Sequence, residues 1–287
     1  MIKNYYALTK PGIIYGNGVA TAAGFALASH AHFDTVLFIA TLVGISFIIA
    51  SGCVFNNYID RDIDALMERT KKRALVTGAI SPTRALIFAS TLGFLGAFNL
   101  AVFTNLLTLF LAVIGLFFYV VVYSMWSKRH TIHATLIGAI SGAVPPVVGY
   151  CAVSNSFDTG AQILFLILAA WQIPHALAIA IYRYQDYASA SVPVLPVAKG
   201  MNITKTIMTL YVAAYVLAIM SLWLFGYASL WLAIALGLLG VSWLAYSVAG
   251  FWTQDDSKWG RKMFRYSLIS LLSFCVAVAV DAVFARI

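Results

Sequence analysis

Long apolar runs recur along the 287-residue chain, and short polar stretches separate them. About 20 apolar residues are needed to cross roughly 30 Å of hydrocarbon as a helix. The runs near that length predict nine transmembrane helices, at residues 12–29, 36–57, 85–103, 106–126, 134–153, 161–182, 206–225, 228–249 and 264–284. Only Thr104 and Asn105 divide the third run from the fourth. We expect an all-α polytopic membrane helix bundle, folded as a single domain over residues 1–287, around a central cavity open to the cytoplasmic side.

Composition agrees with this pattern, since 62% of the residues are hydrophobic and 10% are charged. A soluble globular chain carries about 25% charged residues, so that class is excluded. The cations then set the orientation, because cytoplasmic loops collect Lys and Arg. With the N-terminus cytoplasmic and the C-terminus periplasmic, Arg286 alone of the 18 basic residues falls outside. The net charge of +8 therefore predicts a protein of the cell inner membrane, with the lipid bilayer as partner and no nucleic acid.

A row of polar residues ends the second apolar run. Asn56, Asp60 and Asp64 are four residues apart, and a helix turns about 400° over four residues, so all three can face one ligand. Asp62 lies on the opposite side of the same helix. Carboxylates gathered at the mouth of an apolar bundle need a cation between them, and Mg²⁺ prefers such oxygen ligands. The row therefore predicts a magnesium site.

Cations follow the acids within a few turns, at Arg69, Lys71, Lys72 and Arg73. On a continuing helix Arg69 and Arg73 share a face, and Arg can hold a phosphate through two parallel hydrogen bonds. The alternative is a charge cluster at a helix end that serves only as a topology signal. We expect the cations at 258–265 to be topology charges of that kind.

Prolines and polar groups interrupt two later spans. Pro145 and Pro146 should break or kink their helix about midway, which implies either a cavity or a tight helix crossing there. Gln172 and His175 lie inside the sixth apolar run beside Pro174, and polar groups at that depth are costly unless they face a partner or a cavity. His175 could reach a substrate, or it could bond a carbonyl that Pro174 frees.

Several segments together resemble the UbiA superfamily of intramembrane prenyltransferases, and most closely its haem-farnesylating branch. They are KPG at 10–12, ASGCVFNNYIDRDID at 50–64 with MERTKKR after it, GAVPPVVGYCAV at 142–153, WQIPHALAIA at 171–180 and DYASASVPVLPVAKG at 186–200. One feature departs from the superfamily, whose second motif carries two or more acids at helical spacing. Here Asp186 is followed four residues later by Ala190, so the number of metal ions stays open.

The resemblance implies transfer of a farnesyl group from farnesyl diphosphate to the 2-vinyl group of haem b, with Mg²⁺ as cofactor. It implies a metal site of Asn56, Asp60, Asp64 and Asp186, with Arg73 joining the first three in catalysis. It implies diphosphate contacts from Arg69, Lys72, Arg73, Lys128, Arg129 and Lys199, and haem contacts from His175, Gln172 and Tyr182. The product, haem O, would pass to a haem–copper terminal oxidase or to a haem A synthase.

Other functions remain open at this point. A prenyltransferase of the same superfamily that acts on a quinone precursor is the nearest alternative. A secondary transporter should have its key polar groups near the membrane midplane and two sequence halves that resemble each other, and we see neither. A non-catalytic haem-binding subunit would need histidine pairs on facing helices, whereas His175 alone lies well inside a span.

Overall fold

The computed structural model describes residues 1–29 and 32–284, and within these ranges the regular structure is helical, without strands. The helices are α1 Ile2–Leu8, α2 Pro11–Ser29, α3 Thr35–Ile59, α4 Arg61–Leu66, α5 Pro82–Phe103, α6 Leu106–Phe117, α7 Lys128–His130, α8 Ala134–Ser154, α9 Thr159–Tyr182, α10 Tyr184–Ser189, α11 Leu195–Lys199, α12 Met201–Leu224, α13 Leu230–Ala249 and α14 Asp256–Phe284. A π-helical segment, Phe118–Ser127, joins α6 to α7, and a 3₁₀ turn, Gly250–Trp252, follows α13.

Eight helical segments in the described ranges are long and apolar enough to cross a membrane. They confirm a multi-pass membrane bundle, although the predicted count of nine is not confirmed. The difference lies at α2, which is helical over 19 residues but carries Asn17, Thr21 and four glycines. The span that begins at Leu106 runs through the π-helical segment to His130. Arg286, the expected periplasmic cation, lies outside the described residues.

Local sequence determines where several helices begin. Asp34, Asn105 and Asp158 each accept a backbone hydrogen bond at the N-terminus of α3, α6 and α9. Such caps satisfy amide groups that the first helical turn leaves unpaired. Thr104 and Asn105 separate α5 from α6, as predicted.

Helix α9 lies at the centre of the bundle and packs on α8, α12 and α14. Its residues Leu164 and Ile167 are fully buried in the largest apolar cluster. Since lipid is as apolar as these side chains, close van der Waals contact holds such helices together rather than exclusion of water. The central helix is also the one that carries Gln172 and His175.

Helix α8 continues through Pro145 and Pro146, so the prolines do not break it. The helix instead makes a tight crossing with α2, which was the second alternative. A Cβ atom at Gly24 would collide with the carbonyl of Pro146, and one at Gly149 would collide with the carbonyl of Thr21. Small residues thus let the two backbones touch, and α2 covers the part of α8 that the prolines weaken.

Candidate functional site

Asn56, Asp60 and Asp64 keep their helical spacing across the junction between α3 and α4. The amide of Asp60 bonds the carbonyl of Asn56 at 2.9 Å, and the amide of Asp64 bonds that of Asp60 at 2.7 Å. Helical spacing therefore continues across the junction, and all three side chains are buried. The side chain of Asp62 is 63% exposed, as its opposite position predicts.

Cations from three separate segments surround the row. Lys10 Nζ donates to Asn56 Oδ1, and Arg73 Nη1 lies 2.6 Å from Asp64 Oδ2. Lys128 forms an ion pair with Asp60. Asn56 Nδ2 also donates to Asp60 Oδ2 at 2.8 Å. These contacts make one continuous network of acids, amide and cations, which we call the acid row network.

Lys10 belongs to this network although the motif analysis assigned it no role there. It lies between α1 and α2 with a φ of 51°, a left-handed conformation that is uncommon for lysine. The pKa of Lys10 is lowered to about 8, mainly by burial; the charges of Arg73 and Lys128 add to the shift, while Cys53 and Asp60 oppose it. The only sequence signal was its place directly before Pro11, which ends one helix and opens the next.

The stretch after Asp64 differs from the expected continuing helix. Helix α4 ends at Leu66, and turns follow up to α5. Thr70 Oγ1 donates to the carbonyl of Asp64 at 2.9 Å, which folds the chain back and brings Arg73 onto the Asp64 carboxylate. Arg69 and Lys72 are exposed, so they do not share a helical face with Arg73.

Arg129 lies on the other side of α4. Its guanidinium makes two 2.7 Å contacts with the Asp62 carboxylate and one 2.6 Å bond to the carbonyl of Ile59. This pairing is the main reason why the pKa of Asp62 lies well below its usual value. The structure thus separates Arg129 from Lys128, its neighbour in sequence, which reaches the buried row.

The segment with α10 and α11 packs over α4. Tyr187 and Val192 contact Ile63 and Met67. Asp186 is partly buried, and its carboxylate lies 4.0 Å from Arg183. Lys199 is exposed at the end of α11. Within residues 1–29 and 32–284, no three acidic, His or Cys side chains form a group that could hold a metal ion, so Asp186 is not gathered with Asp60 and Asp64.

The chemistry of the acid row nevertheless fits a hard divalent cation. Every side-chain acceptor that Asn56, Asp60 and Asp64 offer is an oxygen, the ligand type that Mg²⁺ prefers. Asp60 Oδ1 is buried and has no hydrogen-bond partner among the described residues. A buried carboxylate oxygen without a partner is costly, and a bound cation would remove that cost.

A second polar group lies between α9 and α14. His175 Nδ1 lies 2.8 Å from Ser267 Oγ, and the hydroxyl of Ser267 donates to the carbonyl of Phe264. Ser267 must then accept from His175 Nδ1–H, which leaves Nε2 as the unprotonated nitrogen. His175 therefore bonds a hydroxyl rather than a carbonyl freed by Pro174. No sequence signal pointed to Ser267, which lies 92 residues away.

Aromatic rings surround His175. Trp171 stacks on the imidazole with ring centroids 4.6 Å apart, and Phe264 lies 5.0 Å from it. Tyr182, two helical turns after His175 on α9, also contacts Phe264, with ring centroids 5.7 Å apart. Gln172 faces the other neighbour and packs against Gly142 of α8. His175 and Tyr182 thus share one aromatic face, whereas Gln172 lies apart from it.

Carboxylates and cations gathered among membrane-spanning helices define an intramembrane enzyme site rather than a soluble one. The model of the UbiA prenyltransferase family matches residues 18–269, and the chain belongs to that family. The chain is 51% identical over 281 residues to the protoheme IX farnesyltransferase of Yersinia pseudotuberculosis serotype O:1b (strain IP 31758), and 50% identical to that of Serratia proteamaculans (strain 568). Each alignment covers 98% of this chain and 95% of the relative.

Solved structures show the same fold. A digeranylgeranylglyceryl phosphate synthase superimposes with a TM-score of 0.80 at 19% identity, covering 98% of both chains. A UbiA homologue from Archaeoglobus fulgidus, bound to GPP and Mg²⁺, superimposes with a TM-score of 0.71 at 18% identity, covering 96% of this chain and 99% of that one. At such identities the likeness concerns the fold alone.

Proposed function

We propose that this protein transfers the farnesyl group of farnesyl diphosphate to the 2-vinyl group of haem b and adds water, giving haem O and diphosphate. The observation that carries the proposal is the 51% identity, over 98% of the chain, to proteins named protoheme IX farnesyltransferase. The acid row network offers charged groups for the diphosphate, and the aromatic face at His175 offers flat rings and an imidazole for the haem.

The C1–O bond of farnesyl diphosphate breaks, and its electron pair leaves with the diphosphate. The terminal carbon of the 2-vinyl group attacks C1 and forms the new C–C bond. Water adds to the cation left on the inner vinyl carbon and loses a proton, so a hydroxyethylfarnesyl side chain results without any change in oxidation of the iron.

The diphosphate would bind at the acid row network. Asn56, Asp60 and Asp64 would hold Mg²⁺, with Asp186 as a further carboxylate, and the ion when bound would neutralise charge on the departing diphosphate. Arg73 and Lys128 would then turn from the carboxylates to the diphosphate oxygens. Arg69, Lys72 and Lys199 would contribute further cationic contacts, whereas Arg129 would do so only after leaving Asp62, with which it pairs on the other side of α4. Preorganised charge of this kind stabilises the transition state more than the ground state.

An apolar crevice would take the farnesyl chain. It has a volume of about 180 Å³ and lies between α6, α8 and α9, against Leu111, Gly115, Phe118, Val144 and Phe165. Phe118 begins the π-helical segment, and that segment leads to Ser124, which accepts from Asn56 Nδ2 at 3.0 Å. A farnesyl chain whose diphosphate is bound at the acid row could therefore follow this helix into the crevice. The wholly apolar lining of the crevice suits a hydrocarbon chain.

Haem b would bind at the aromatic face, where the flat rings of Trp171 and Phe264 suit a porphyrin. His175 would offer its unprotonated Nε2 to the iron, and Tyr182 would contact the ring edge. Gln172 remains a candidate haem contact, although it packs on α8.

The protein would act as one domain in the cell inner membrane, with the N-terminus cytoplasmic and the C-terminus periplasmic. Haem O is lipid-soluble and would pass to a haem–copper terminal oxidase or a haem A synthase.

Analysis of extracted haems by mass spectrometry tests the reaction. Membranes that contain the protein, supplied with haem b, farnesyl diphosphate and Mg²⁺, should accumulate a haem heavier by one farnesyl group and one hydroxyl group. Membranes with the Asp60→Asn/Asp64→Asn variant at equal abundance are the control. A prenylated quinone in place of haem O would support the quinone-precursor alternative and overturn the proposal.

A further inference from the structure

Two arginines from different helices flank a single tyrosine ring at the end of the aromatic face. The guanidinium carbon of Arg183 lies 5.2 Å from the centroid of the Tyr182 ring, and that of Arg261 lies 5.8 Å from it. Arg183 follows α9, whereas Arg261 belongs to α14. The helix packing between α9 and α14 therefore brings together two cations that are 78 residues apart in the chain.

Neither guanidinium has a close carboxylate partner. Arg183 is 4.0 Å from Asp186, a distance at the limit of an ion pair, and Arg261 pairs with no acid among the described residues. Neighbouring lysines differ, because Lys205 pairs with Asp256 and Lys258 pairs with Asp255. The charge at Arg183 and Arg261 is thus available to an external anion, while that of the adjacent lysines is already balanced.

The two arginines continue the aromatic face without interruption. Phe264 contacts both Tyr182 and His175, and Trp171 stacks on His175 beyond it. On α9, positions 171, 175 and 182 fall on one stripe because they are separated by four and seven residues. A molecule on this face would meet flat apolar rings and an imidazole along its length, and two guanidinium groups at one end.

We infer that Arg183 and Arg261 bind the two propionate groups of the porphyrin acceptor, an inference that rests on the proposed function. A porphyrin of this type carries both carboxylates on one edge of a flat apolar ring, which matches the face in shape and in charge. Guanidinium groups pair with carboxylates through two parallel hydrogen bonds, which a lysine does not provide. Arg261 was predicted to be a topology charge, and its place beside Tyr182 gives it a more specific role.

This arrangement also orients the substrate. The vinyl groups lie on the porphyrin edge opposite the propionates, so propionates held at Arg183 and Arg261 leave the reacting edge free. Tyr187, four residues after Arg183, packs against Ile63 and Met67, next to Asp64. The arginine pair therefore adjoins the segment that carries the acid row, so the anionic groups of both substrates would bind at the same end of the bundle.

The test compares haem b with its dimethyl ester, which keeps the ring, iron and vinyl groups but lacks both carboxylates. Arg261→Gln and Arg183→Gln should each raise the KM for haem b about tenfold, the loss expected for one charge-assisted hydrogen bond at a partly exposed site. The KM for the ester should already be high in the wild-type protein, and it should stay unchanged in both variants. Arg261→Lys should recover part of the affinity for haem b.

Lys258→Gln is the matched control, because Lys258 is exposed on the same helix but paired with Asp255. It should leave the KM for both acceptors and for farnesyl diphosphate unchanged. The inference would be overturned if Arg261→Gln changed the KM for haem b and for the ester equally, or changed neither, while the wild-type protein still formed haem O. A wild-type protein that formed no haem O would refute the proposed function instead.

Discussion

Lys128 and Asp60 form an ion pair across 68 residues, and it leaves one oxygen of the Asp60 carboxylate without a partner among the described residues. The carboxylate side chain is only 1% exposed. The charge of Lys128 and the hydrogen bond from Asn56 stabilise the anionic group in this buried place. The unused oxygen leaves the Asp60 carboxylate available to a metal ion, and it leads to the first prediction.

Asp60→Asn and Asp64→Asn should each abolish farnesyl transfer while expression and membrane insertion persist. Each change removes an anionic metal ligand and keeps the side-chain shape, so turnover should fall rather than folding. Transfer assays in membranes at matched protein abundance, with Mg²⁺ varied, would check this. Asp34→Asn is the control, since Asp34 caps α3 far along the chain from the row. Normal activity in either variant would refute the metal assignment.

Lys10→Met should weaken binding of farnesyl diphosphate by about tenfold or more, because a hydrogen bond to a charged group contributes about 1.5–3 kcal/mol. Lys10 bonds Asn56 inside the acid row network, whereas Lys3 is exposed at the same end of the chain. Lys3→Met therefore serves as the matched control. Titration with labelled farnesyl diphosphate measures both, and equal affinities in the two variants would remove Lys10 from the site.

Arg73→Lys should slow transfer without changing topology. Arg73 contacts Asp64 and can present a planar pair of donors to a phosphate, which lysine cannot. We expect a loss of about tenfold in kcat/KM for farnesyl diphosphate at saturating haem b. Lys258→Gln, assayed in parallel, should behave as the wild-type protein does. If it lost as much affinity for farnesyl diphosphate, the diphosphate site would have to include the start of α14.

His175→Ala should retain binding of farnesyl diphosphate but weaken binding or turnover of haem b. The physical reason is that Ser267 holds the imidazole with Nε2 unprotonated, ready for the iron. Absorbance titration in the Soret region measures haem binding, and His133→Ala, at an exposed position, is the control. Unchanged haem spectra and unchanged turnover would show that His175 only fills space.

Gly24→Val should destabilise the protein by about 1–3 kcal/mol, the usual cost of overpacking. The new side chain would meet the carbonyl of Pro146, a backbone atom that cannot move aside. At Gly16 no atom lies within 4 Å of a Cβ position, so Gly16→Val offers a similar substitution with free space. Thermal inactivation in detergent compares the two, and equal half-lives would contradict the tight crossing of α2 and α8.

Much of the site was accessible from local sequence. The helical spacing of Asn56, Asp60 and Asp64 predicted their common face, and backbone hydrogen bonds keep that spacing through the junction at Asp60. The opposite orientation of Asp62 followed from the same periodicity. The helix expected to continue through Arg69 and Arg73 could not be checked from local sequence: α4 ends at Leu66, and Thr70 folds the chain back onto Asp64.

The sequence by itself determined the membrane class, the spans near their observed bounds and the polarity of the acid row, because hydrophobic length and helical periodicity act over neighbouring residues. Tertiary structure alone decided which cations reach which acids: Lys128 turns inward to Asp60 while Arg129 turns outward to Asp62. It likewise placed Ser267 on His175 and Arg261 beside Tyr182. These contacts depend on how helices distant in sequence pack together, and such packing is set by the shapes of whole helix surfaces rather than by any local pattern.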